Sequence, residues 1–355
     1  MPITAAFFTT EDALAARFDV LSRQLGLRAE SANELLIWQR GLAAQLRRTL
    51  GLDTMREASL DPVITERVAC VGYTRERVLM QTEPGVVMPL YVLIPDGLMP
   101  GERRPAVLAP HGHSSGGKYA VAGRRDLPAV AMTIEQHNYD YGVQLVQQGL
   151  VVFCPDARGF GERREAARQD ETNLLFGSCN LLNHMAIPLG QTVTGMWTWD
   201  LMRLVDYAQT RPEVDPARVA CGGLSGGGLQ ALWLAALDKR VCAAVISGYF
   251  YGYKDSLLRL NDNCSCNYVP GLWSLADMGD IAALIAPRPL FIETGDIDGL
   301  NGPRGLVNVT EQLAITRRAY DLLGAGDAVR HHIFPGPHMW CGAQSIPWLR
   351  GVLEG

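Results

Sequence analysis

The sequence predicts an α/β fold: a doubly wound, mostly parallel sheet with helices on both faces and an N-terminal helical extension. Two observations carry this. From residue 106 onward, short near-continuous apolar runs alternate with longer helical stretches, the pattern of buried parallel strands joined by crossover helices. A 355-residue chain that is 48% hydrophobic and 19% charged can also build the large core such a sheet needs.

Residues 11–50 read as helix, because Leu14, Phe18, Leu21 and Leu25, then Leu35, Leu36, Leu42 and Leu46, recur at three- and four-residue steps. Strand candidates follow at Arg67–Tyr73, Arg77–Gln81 and Val86–Ile94, separated by turn residues such as Pro84-Gly85. The buried strand candidates are Ala106–Pro110, Leu150–Cys154, Val219–Cys221, Cys242–Ile246 and Pro289–Ile292, with a last strand-like run at Val329–Phe334. Helices are expected around Tyr139–Gln148, Gly195–Gln209, Gly226–Leu237 and Val309–Leu323. The division is thus a helical extension over 1–60 and a catalytic domain over 61–355. Two long connections, near 156–194 and 248–285, are expected to wall a pocket.

Composition narrows function. A net charge of −5 with no basic run argues against a nucleic-acid partner. No apolar run reaches the roughly 20 residues of a membrane span, and residues 1–12 carry no export signal, so a cytoplasmic protein is expected. Cys154, Cys221 and Cys242 fall in apolar, strand-like segments as small hydrophobes. Cys264-Ser-Cys266 lacks the two-residue gap common in zinc sites and has no companion pair, and His111 with His113 offers too few ligands, so neither metal nor cofactor is expected. The helices of residues 11–50 are candidates to cap the domain or to pair subunits.

Chemistry concentrates at Gly223-Leu-Ser225-Gly-Gly227, a Gly-x-Ser-x-Gly pattern between an apolar strand and a helix. Strand, tight glycine turn and helix are the geometry that lifts a serine hydroxyl above a sheet at a helix N-terminus, where developing negative charge is favoured. The bland alternative is a glycine turn that only packs or binds phosphate, but no Lys/Thr follows as in a phosphate loop. A base must come from elsewhere. His338, in Phe334-Pro-Gly-Pro-His338, follows the last strand and can reach back over the turn, whereas His331 and His332 lie inside the strand itself, and His137 and His184 lack a comparable position. Glu293, Asp296 and Asp298 leave the strand before it as candidate partners for the base. The loop His111-Gly-His113-Ser-Ser-Gly-Gly117 is placed to hold an oxyanion through backbone amides, together with Gly226.

From about Ala106 to Gly342 the chain resembles the α/β-hydrolase superfamily, and within it bacterial esterases grouped with acetyl xylan esterases and dienelactone hydrolases. The resemblance rests on His111-Gly-His113, Pro155–Glu162, Gly195–Asp200, Arg211–Asp215, Gly223–Gly228, Cys264–Gly271, Ala286–Pro289, Gly295-x-x-Asp298 and Gly336-Pro-His338, in that order. It implies serine ester hydrolysis without a cofactor, with Ser225 as nucleophile, His338 as base and Asp298 as the acid. It further implies that Arg158 and Asp200 support the site, with His111 beside them. Trp197, Trp340 and Tyr268 are the aromatic residues expected to contact a small ester substrate. A peptidase, amidase or lactone hydrolase of the same fold is the nearest alternative, and a non-catalytic binding protein the more distant one.

Overall fold

The computed structural model describes residues 9–166 and 174–355, so part of the first long connection lies outside the described residues. Nine strands form one sheet: β1 (Val63–Cys70), β2 (Tyr73–Glu83), β3 (Val86–Pro95), β4 (Arg104–Leu108), β5 (Val151–Pro155), β6 (Val214–Leu224), β7 (Val241–Ser247), β8 (Leu290–Gly295) and β9 (Val329–Phe334). Their order is β1-β2-β3-β5-β4-β6-β7-β8-β9. β1, β2 and β3 pair antiparallel, β3 joins β5 antiparallel, and every pairing from β5 to β9 is parallel.

The helices are α1 (Glu11–Leu21), α2 (Ala32–Thr49), α3 (Lys118–Val121), α4 (Pro128–His137), α5 (Tyr141–Val146), α6 (Cys179–Ala186), α7 (Val193–Thr210), α8 (Gly226–Leu237), α9 (Leu272–Leu275), α10 (Met278–Ala283), α11 (Leu306–Leu322) and α12 (Ser345–Glu354). The apolar runs became strands because both faces of the sheet are covered: every residue of β5 and β8 is buried. Along β4 and β6 successive residues serve opposite cores. Ala106, Leu108 and Val219 join one apolar cluster, while Val107 and Ala220 join the other.

Two expectations change. The single helical stretch over 11–50 is two helices, with α2 starting where Ser31 accepts a hydrogen bond from the Glu34 amide at 3.3 Å. Helices α3, α4, α6, α9, α10 and α12 were not anticipated. Leu35, Leu42 and Leu46 of α2 enter the same apolar cluster as the sheet.

The topology also locates the site. The chain goes from β4 outward to β5 and then returns to place β6 on the other side of β4. In such sheets the crevice at the carboxyl ends of the two central strands, where winding reverses, is the place a ligand can enter. The loop after β4 carries His111–Gly117 and the turn after β6 carries Ser225.

Candidate active site

Ser225 occupies the single-residue turn between β6 and α8 with φ 59° and ψ −121°, a conformation that costs a non-glycine residue free energy and persists only where the surroundings enforce it. Its amide donates to Ser247 O at 2.9 Å. The glycines around it are required by contact. A Cβ on Gly227 would lie 2.2 Å from Pro110 O, one on Gly223 2.7 Å from the same oxygen, and one on Gly228 2.8 Å from Ser247 O. The turn therefore nests against the ends of β4 and β7, with the Ser225 side chain at the N-terminus of a 12-residue helix.

His338 lies beyond β9, and its Nδ1 is 2.7 Å from Asp298 Oδ2. Asp298 is nearly buried, and its other oxygen accepts from the Leu300 amide at 2.9 Å, which fixes the carboxylate. Asp296, two residues earlier, instead accepts from the Gly336 amide at 2.9 Å and ties the β8 exit to the His338 loop. Glu293 is also occupied elsewhere, accepting from Ser345 Oγ at 2.6 Å and Gly342 N at 3.0 Å. His331 contacts Thr294 Oγ1 at 3.0 Å, and burial pulls its pKa down to about 4. Ser225, Asp298 and His338 line one cavity of about 600 Å³, together with His113, His137 and residues 262–264.

The loop after β4 closes the other side. The Gly112 amide donates to Tyr139 Oη at 2.9 Å, and the His111 carbonyl accepts from Gln230 at 2.7 Å. Among the described residues, the amides of His113 and Gly226 donate to no protein acceptor. The two residues are neighbours, since a Cβ on Gly226 would lie 2.9 Å from His113 Nδ1. His111 is buried with Nδ1 2.8 Å from Gly112 O and Nε2 accepting from Ala157 N at 3.1 Å; burial lowers its pKa to about 4, so it is neutral. Arg158 grips Asp200 through two nitrogens at 3.0 and 2.8 Å and reaches Glu83 at 3.1 Å, while Arg163 adds a third contact to Asp200 at 2.7 Å. Burial alone would raise Asp200, yet the two guanidinium groups hold it down at about 2. This network braces β2, α7 and the first insertion behind the site.

The three aromatic residues expected at the substrate do not line the cavity. Trp197 is buried and spends its Nε1–H on Arg158 O at 2.9 Å. Trp340 is buried in a stack on Tyr141, ring centroids 4.7 Å apart. Tyr268 lines a separate depression with Trp273, its hydroxyl 3.1 Å from Leu257 O. The large apolar surfaces of Trp197 and Trp340 went to the core, where they bury more area than a pocket wall would allow. In their place stands His137, whose Nδ1 lies 2.9 Å from the His338 carbonyl. The sequence offered no signal for it beyond its being a histidine. Of the two insertions, the second supplies Leu260, Asp262, Asn263 and Cys264 to the main cavity, and the first lines an adjoining one beside His113.

A strained serine between strand and helix, sharing a cavity with a histidine–aspartate pair at the reversal of winding, is a hydrolase arrangement. The Abhydrolase family model, Abhydrolase_7, matches residues 27–339. The chain belongs to the Abhydrolase family. The Bacillus subtilis (strain 168) protein named "Putative hydrolase YtaP" is 32% identical over 232 residues, covering 64% of this chain and 70% of that one. Among solved structures, a Bacteroides fragilis NCTC 9343 protein described as a "putative acetyl xylan esterase" superposes with TM-score 0.79 at 20% identity, covering 100% of this chain and 97% of that one. A glucuronoyl esterase from Solibacter usitatus superposes with TM-score 0.67 at 18% identity, covering 95% and 97%. At those identities the two structures show that this Abhydrolase-family chain shares their fold across nearly its whole length. No helix among the described residues is long and apolar enough to cross a membrane.

Proposed function

We propose that the protein is a serine carboxylic-ester hydrolase acting on a small ester with an acetyl or other short acyl group. The reading rests on one observation: Ser225, held at positive φ above the sheet, shares a cavity with a His338 whose Nδ1 is tied to the buried Asp298. Asp298 accepts a hydrogen bond from Nδ1–H, which keeps the proton on Nδ1 and leaves Nε2 free as the base. Nε2 takes the Ser225 proton as Oγ attacks the ester carbonyl; the amides of His113 and Gly226 receive the oxyanion. His338 returns the proton to the departing alcohol, and a water activated by the same Nε2 cleaves the acyl-enzyme. The ester-cleaving names of the structural neighbours agree with this reading. An amidase or peptidase would use the same steps on a poorer leaving group.

Ser225→Ala protein decides the matter against p-nitrophenyl esters of increasing acyl length, with an acetylated sugar, a lactone and a peptide amide alongside. Expected are turnover of short esters by the native protein, fluorophosphonate labelling of Ser225, and a loss of roughly 10³-fold or more in kcat in the variant at unchanged thermal stability. Turnover retained by clean Ser225→Ala protein refutes the mechanism. Amide cleavage at rates matching the esters moves the assignment to the amidase reading.

A further inference from the structure

Four side chains that sequence spacing did not group meet beside the cavity: His113 from the loop after β4, Cys179 at the start of α6, and Cys264 and Cys266 from the second insertion. One donor atom from each, an imidazole nitrogen and three sulfurs, lies within 4.8 Å of every other. His113 Nε2 is 3.3 Å from Cys266 Sγ. Around a tetrahedral zinc with Zn–S near 2.3 Å and Zn–N near 2.0–2.1 Å, ligand atoms stand roughly 3.4–3.8 Å apart, so the four need move only by tenths of an ångström to about 1 Å to close on one ion. All three cysteines are free thiols. Cys179 and Cys266 are buried, and Cys264 and His113 are half-buried. The side-chain Nδ2 of Asn267 lies 3.6 Å from Cys266 Sγ, the kind of N–H···S contact that steadies a metal-bound thiolate.

We propose that His113, Cys179, Cys264 and Cys266 bind a single zinc ion. A Cys₃His set of borderline-soft donors selects zinc over calcium, magnesium or manganese, whose preferred ligands are oxygens. Four protein ligands complete the tetrahedron and leave no position for a water, so the ion is structural and no step of ester cleavage runs through it. Zinc joins three segments far apart in the chain: the loop after β4 that carries His113, the first insertion and the second. It thereby fixes the His113 ring through Nε2 and fastens both insertions beside the cavity. A second cluster, Glu293, His332 and Cys341, offers only three ligands, and its carboxylate is already taken by Ser345 and Gly342.

Elemental analysis of the full chain, purified under reducing conditions without added metal, should find about one equivalent of zinc. After removal of that zinc, cobalt(II) should restore visible absorption of tetrahedral intensity and a near-ultraviolet thiolate-to-cobalt charge-transfer band. Cys264→Ser should abolish retention of the metal and alter the charge-transfer band, whereas Cys341→Ser should change neither. The inference is overturned by native protein that neither contains zinc nor takes it up, by a disulfide among Cys179, Cys264 and Cys266 in freshly isolated protein, or by zinc retained undiminished in both Cys264→Ser and Cys179→Ser. These readouts are independent of esterase activity, so a zinc-loaded protein that cleaves no ester leaves this inference standing.

Discussion

Replacing Asp298 by Asn changes one charge and almost no volume, and it acts on the chemistry through a proton position. Asp298 Oδ2 lies 2.7 Å from His338 Nδ1, placed to accept a hydrogen bond from Nδ1–H, while the other oxygen holds the Leu300 amide at 2.9 Å. In the Asn variant the oxygen stays with the Leu300 amide, and the NH₂ group faces His338. The ring then has to accept at Nδ1, which moves its proton to Nε2, the atom that must take the Ser225 proton. The lost base and the unstabilised imidazolium should lower kcat on an activated ester by on the order of 10²–10⁴, or about 2.7–5.5 kcal/mol of transition-state stabilisation. Asp296→Asn is the matched control. Its oxygen can still accept from the Gly336 amide, as Oδ1 does now at 2.9 Å, and it does not touch the ring; kcat should fall by no more than about threefold. Both variants are assayed on one p-nitrophenyl ester with their melting temperatures recorded. The reasoning fails if Asp298→Asn keeps more than a tenth of native kcat, or if Asp296→Asn loses more than Asp298→Asn.

Three further outcomes follow from the same geometry. Gly248→Ala places a methyl 2.9 Å from His338 Cε1 at a φ of +58°; steady-state kinetics should show kcat falling about 10–100-fold through displacement of the ring, and unchanged kinetics would mean the loop relaxes freely. Lys118 is fully buried with Nζ 2.6 Å from Asp156 and 2.5 Å from Glu162, so Lys118→Met should cost about 3–5 kcal/mol in urea unfolding by stranding Asp156, and a loss below 1 kcal/mol would contradict that. His111 is held neutral when folded, with its pKa lowered from 6.5 to about 4, so between those values the unfolded chain binds more protons and stability rises with pH; the gain is up to about 3 kcal/mol. Asp277, raised by burial to about 6, acts in the opposite sense over part of that range, so the native-minus-His111→Asn difference curve is the quantity to measure, and a flat difference would refute the assignment.

Where the physics is local, the sequence was a sufficient guide. Apolar runs such as Leu150–Cys154 and Pro289–Ile292 could only be buried strands, and the glycines around Ser225 announced a turn that side chains would block. Ser31 and Glu34 even spelled out the start of α2, though the leucine periodicity on either side concealed the break. Asp296 and Asp298 were separable only in part by sequence, because which one turns back to the ring depends on the path of the chain after Gly295. Burial of the aromatics was not legible: Trp197 and Trp340 sit on segments bordering the site, and only packing decides that their rings turn inward. The Cys/His cluster was hidden by distance, since Cys179 belongs to a different insertion from Cys264 and Cys266 and His113 to a loop before both.

The N-terminal helices carry a consequence for biosynthesis. Arg23, in the bend between α1 and α2, donates through two nitrogens to Asp280 at the base of α10, 257 residues downstream. At roughly 5–20 residues per second of translation, that partner is made some 13–50 s after the arginine. Helix α2 packs on α8 and α11, so until residues 226–237 and 306–322 have been made Leu35, Leu42 and Leu46, which end fully or almost fully buried, lack the helices that cover them. This segment thus docks long after it is made, and on the nascent chain its leucine face is a ready target for chaperones that bind exposed apolar helices.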